Sequence, residues 1–65
     1  MPTSLELWIR RLRESDIDAR RDAIRQLELL GDPAALAPLA VIFALDPDLE
    51  TRKLAQQAGK SIYTA

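Results

Sequence analysis

The chain contains no cysteine and no histidine. Without cysteine there is no disulfide, and nothing calls for an oxidising compartment. Without histidine the commonest zinc ligand and the usual neutral-pH general base are both missing. Ser4, Ser15 and Ser61 therefore have no base beside them, which argues against hydrolytic chemistry. No catalytic, cofactor-binding or metal-binding residues are predicted. A charge excess of one sign is lacking too: nine Lys and Arg face ten Asp and Glu, for a net charge of −1. A nucleic-acid binder generally carries a basic excess or stripe. Here Arg10, Arg11, Arg13, Arg20 and Arg21 fall on several faces with acids between them, so a nucleic-acid-binding helical repeat is only a minor alternative. No apolar run reaches the ~18–20 residues of a membrane-spanning helix. The start, MPTSLELW, lacks the basic and apolar regions of a signal peptide. The expectation is a cytoplasmic protein with no membrane insertion.

Sixty-five residues make one small domain, 1–65. A chain this short buries only about 60% of the surface that its unfolded form exposes. Ordering it costs roughly 1.5 kcal/mol per residue, which nearly cancels the apolar gain. With disulfides and zinc ligands absent, support must come from regular helix packing or from a partner. Aromatic and β-branched aliphatic side chains are scattered without two-residue alternation, so strands are not expected.

What the chain does have is a wholly apolar centre, Pro33–Leu45 (PAALAPLAVIFAL), with no charge and no Ser, Thr, Asn, Gln or Gly. At the helical step of about 100° per residue, Leu36, Leu39, Ala40 and Phe43 share one face. Pro38, Val41, Ile42 and Leu45 point the other way. A helix that is apolar all round is normally buried on both sides. Neighbours are therefore expected on two sides of this segment, from the flanking helices, a partner, or both.

Around that centre the sequence predicts three further helices. Thr3 and Glu6 read as a capping box. Leu5, Trp8, Ile9 and Leu12 follow as one apolar stripe, with Leu7 off the stripe and exposed. Ser15 or Asp16 caps the second helix, whose inward side is Ile17, Ala23, Ile24, Leu27 and Leu30. Asp18 and Asp22 are spaced to pair with Arg21 and Arg25. Gly31 suits the left-handed position that ends a helix. Asp32 caps the third helix, with Pro33 in its first turn. So short a break predicts that the second and third helices are antiparallel neighbours. Pro38 lacks an amide and should bend the third helix. Asp46-Pro47-Asp48 repeats the break. The last helix runs from about 48 to 63, with Thr51, Leu54, Ala55, Ala58 and Ile62 inward. Gly59 costs that helix ~1 kcal/mol against Ala, and close approach of another backbone would explain it.

The second and fourth helices overlay at an offset of 32 positions: Asp16 on Asp48, Arg20 on Arg52, Ala23 on Ala55, Leu30 on Ile62. A period of this length signals stacked helical units. On these residues the chain resembles the HEAT repeat family, in particular its short bacterial, phycobilisome-lyase-type variety. The matching run is Ser15-Asp16-Ile17-Asp18-Ala19-Arg20 with Ala23, Leu27, Gly31-Asp32-Pro33, Ala35-Leu36 and Pro38-Leu39. It restarts at Asp46-Pro47-Asp48 with Thr51, Arg52, Ala55 and Ala58. Ala19 and Thr51 stand where Val is usual, and Gly59 where Leu is usual. The resemblance implies an all-α fold of four short antiparallel helices, a minimal HEAT-like two-hairpin α-solenoid. It implies a role in holding other proteins and does not imply lyase activity.

In that family the repeat arginine pairs with the acidic turn of an adjacent unit, so Arg20, Arg52, Asp16 and Asp48 are expected to be inter-repeat structural residues, with Arg52 meeting Asp16 or Asp18. Asp46, Asp48 and Glu50 read as helix capping, since a calcium loop needs more oxygen ligands. Trp8 is expected to cover the open end of the third helix. The candidate partner-binding surface is Pro38, Val41, Ile42 and Leu45, with Leu7 and Arg11 of the first helix beside it. The expected occupant is another protein or a second copy of the chain. A role in assembling a pigment- or cofactor-protein complex is the alternative by family analogy.

Overall fold

Four α-helices follow one another: α1 (Ser4–Arg11), α2 (Ile17–Leu30), α3 (Leu36–Leu45) and α4 (Leu49–Thr64), with a 3₁₀ turn at Pro33–Ala35. The computed structural model describes residues 1–65 and contains no strand. The helix starts follow from local chemistry. The Thr3 hydroxyl accepts from the Glu6 amide at 3.1 Å, Asp16 from Ala19 at 2.9 Å, and Asp48 from Thr51 at 2.9 Å. Each satisfies an amide that the first helical turn leaves without a partner. Gly31 ends α2 with φ +67, and its amide donates to the Leu27 carbonyl. Asp32 caps the 3₁₀ turn, accepting from Ala34 at 2.9 Å.

Helix α3 runs unbroken through Pro38, from Leu36 to Leu45. The 3₁₀ turn takes up Pro33–Ala35, so α3 begins at Leu36 and Pro38 lies in its first turn. There a missing amide leaves no helical hydrogen bond unmade.

Packing runs α1 on α2, α2 on α4, and α4 on α3. Helices α2 and α3, consecutive across Gly31, are not close neighbours along their backbones, contrary to the expectation from their short connection. The 3₁₀ turn redirects the chain so that α3 lies along α4. The result is two hairpins, α1–α2 and α3–α4, joined mainly through α2 and α4. The molecule measures 29 × 27 × 15 Å.

The core is Leu12, Ala23, Ile24, Leu27, Ala35, Leu39, Ala55, Ala58 and Ile62, with Leu5, Trp8, Ile9, Leu36, Ile42 and Leu54 packed against it. Three expectations change here. Leu30, the last residue of α2, lies outside the core and is 47% exposed. Leu7 is half-buried, not exposed. The apolar central helix is not enclosed: of α3 only Leu39 is buried.

The two hairpins are fastened by an arginine pair. Arg20 Nε donates to Asp46 Oδ2 at 2.8 Å and Nη2 to Oδ1 at 3.1 Å. Its Nη1 donates to the Glu14 and Ser15 carbonyls at 3.0 and 2.9 Å. Arg21 Nη2 donates to Asp48 Oδ2 at 2.7 Å, and its Nε to the buried Thr51 hydroxyl at 3.2 Å. Arg20 therefore meets the acidic turn of the second hairpin. Arg52 makes no ion pair and meets neither Asp16 nor Asp18. Asp16 serves only as the α2 cap. Arg21 turns to Asp48, so the local pairs of Asp18 and Asp22 with Arg21 and Arg25 do not form.

Candidate docking surface

The surface is organised by α3. A helix with no polar face exposes apolar side chains wherever its neighbours stop, and α4 covers one side only. Val41 is 55% exposed, Leu45 76% and Phe43 46%. Pro38 and Ile42 are half-buried. Single exposed apolar residues are ordinary. Val41 and Leu45, however, stand one helical turn apart on the side of α3 that carries Pro38 and Ile42, with Phe43 on the other side. Adjoining exposed apolar side chains make a candidate site of interaction.

Two depressions flank α3. The first is a cleft of about 310 Å³ between α1 and α3, lined by Ile9, Leu12, Arg13, Ala37, Pro38, Val41 and Ile42. Pro38, Val41 and Ile42 are thus brought together as predicted from the sequence. Their partners across the cleft are Ile9, Leu12 and Arg13, not Leu7 and Arg11. The reason is helical phase: Leu7 lies two residues from Ile9 and so on nearly the opposite side of α1. Arg11 stacks on Trp8 instead, its guanidinium carbon 5.0 Å from the ring centre. Trp8 packs on the core and does not line the cleft beside α3. Leu45 projects outside the cleft.

The second depression, about 410 Å³, lies between α3 and α4. Leu36, Leu39, Ala40 and Phe43 form one wall; Ala55, Gly59 and Tyr63 form most of the other, with Gln56 and Lys60 polar among them. Sequence reasoning misses it as a surface, because this face of α3 reads as core. The available signal is Gly59, standing where the resembling family has Leu. No backbone approaches it: a Cβ built there meets nothing within 4 Å.

The electrostatics sit elsewhere, at the inter-hairpin turn. Hydrogen bonds from Arg21 and Thr51 hold the Asp48 carboxyl down at about 2, against an ordinary 3.8, and the same pairing with Asp48 raises the Arg21 guanidinium. These carboxylates are occupied by hairpin contacts, and no group of acidic side chains is arranged to hold a metal ion. No helix is long and apolar enough to cross a membrane. Comparison with protein families, curated proteins and solved structures finds no match to this chain.

Proposed function

We propose that the chain is a non-enzymatic protein–protein interaction module, a minimal HEAT-like stack acting in the cytoplasm as a small accessory or scaffolding subunit. The observation that carries the reading is the exposure of α3, a helix without a polar residue whose only buried member is Leu39. Pro38, Val41 and Ile42 form the docking face with Ile9 and Leu12, and Leu45 extends it. Arg13 supplies the polar edge that such interfaces carry at their rim. The HEAT-like reading is supported by the Arg20–Asp46 pair, which links one hairpin to the acidic turn of the next.

The test is Val41→Asp. Val41 is exposed, so the variant should keep its helical circular dichroism while losing the proteins captured by the tagged wild-type chain. A variant that unfolds as a monomer would make the face part of the core. One that retains every captured protein would remove the face from the binding role.

A further inference from the structure

We infer that the cleft between α1 and α3 takes an amphipathic helix of a partner protein, one that carries carboxylates along the flank facing α1. The inference rests on the interaction-module reading and names the chemistry of what that same cleft receives.

The partner's shape follows from what the cleft offers. Its floor is aliphatic: Ile9 and Leu12 from α1, Pro38, Val41 and Ile42 from α3. Both walls are helices, whose backbone amides and carbonyls are bonded within the helix away from its ends. An extended segment laid here finds no backbone partner, so its own amides and carbonyls lose water without replacement. A helix arrives with those groups paired and presents side chains alone. The apolar row on α3 runs from Pro38 to Leu45, about 10 Å at the helical rise of about 1.5 Å per residue. That is two turns, the reach of anchors at positions i, i+3 or i+4, and i+7 on a facing helix.

The charge on the rim is one-sided. Helix α3 contributes none. On the α1 side, Ile9 and Arg13 also line an adjoining depression of about 370 Å³, together with Arg10 and Glu6. The Arg13 amide donates to the Arg10 carbonyl at 3.1 Å, so the helical turn continues past Arg11 and keeps these two arginines on one side. Both are exposed, and neither pairs with an acid of this chain. Arg20 and Arg21, by contrast, are taken up between the hairpins. Glu6 is the only carboxylate lining either depression, so the rim keeps an excess of positive charge. A partner that buries its apolar row in the cleft and sets Asp or Glu over Arg10 and Arg13 makes the pairs that this chain leaves open. A nucleic acid fits less well, because neither depression holds an aromatic side chain on which a base could stack.

Selection of a displayed library of amphipathic helices against the full chain tests this. The library varies the apolar anchors and randomises one flank among Glu, Lys, Gln and Ser. Helices enriched on the wild type should carry Glu on that flank. Fluorescence anisotropy with the enriched helices as labelled peptides then locates the contact. Val41→Asp should weaken binding about tenfold or more. The double variant Arg10→Glu, Arg13→Glu should weaken it roughly three- to tenfold, since its pairs lie in water at the rim, and should prefer the same helix rewritten with Lys for Glu. Ala40→Glu, on the other side of α3, should bind as the wild type does. Circular dichroism should show every variant as helical as the wild type. Enriched helices without an acidic preference, still lost with Val41→Asp, overturn the inference and leave the interaction-module reading standing. Enriched helices indifferent to Val41→Asp overturn both. If no helix is enriched the inference also falls, and the capture experiment with Val41→Asp decides the broader reading separately. Arginine-dependent binding to phosphatidylglycerol vesicles or to a single-stranded oligonucleotide, tighter than to any enriched helix, gives the face to lipid or nucleic acid and overturns it as well.

Discussion

Arg20 and Asp46, 26 positions apart, meet through both arms of the guanidinium, with the Arg20 side chain 12% exposed and that of Asp46 2%. The same carboxylate accepts from the Asp48 amide at 2.9 Å. One buried acid thus ties the first hairpin to the turn that starts α4. Removing one member leaves the other buried and uncompensated, which costs about 3–5 kcal/mol. Urea unfolding of Arg20→Met should show that loss. Arg20→Lys should recover little, because an ammonium cannot reproduce the two-pronged geometry.

Asp48 gives the fold an acid limit. Its carboxyl titrates near 2 in the folded chain and near 3.8 when unfolded. A depressed folded value contributes stability that is complete above the unfolded value and lost as pH falls through the folded one. The urea midpoint should therefore drop between pH about 4 and about 2 as Asp48 takes up its proton. In Arg21→Met, NMR titration should find the Asp48 carboxyl shifted upward, and this part of the acid loss should shrink.

The two glycines should respond to alanine with opposite signs. Gly31 holds φ +67, a conformation that costs other residues roughly 1–2 kcal/mol. Gly59 sits in a regular helix with open space around it, where Ala gains about 1 kcal/mol. Thermal unfolding in dilute solution should show a lower Tm for Gly31→Ala and a higher one for Gly59→Ala.

Helix α3 should divide sharply between anchor and surface. Leu39→Ala removes its one buried side chain and should cost about 2–5 kcal/mol. Val41→Ser, two residues on, should change the stability of the monomer by no more than about 0.5 kcal/mol. Chemical denaturation of the two variants makes the comparison. Equal losses would mean that Val41 is as enclosed as Leu39.

The sequence by itself determined the four helices, most of their ends (the start of α3, displaced by the 3₁₀ turn, excepted) and most of the core. Caps at Thr3, Asp16, Asp32 and Asp48 and the left-handed Gly31 act over two to four residues, so their chemistry is local and can be read without a fold. The same holds for Ala23, Ile24, Leu27, Ala55, Ala58 and Ile62, which helical spacing places on inward faces. Only tertiary structure decided the rest. Arg21 found Asp48, 27 positions along the chain, in preference to Asp18 and Asp22, because half-buried pairs between hairpins are set by packing. The open sides of α3 were beyond sequence periodicity as well: a helix apolar all round has no polar face to orient it, so its neighbours alone chose which side chains stayed in water.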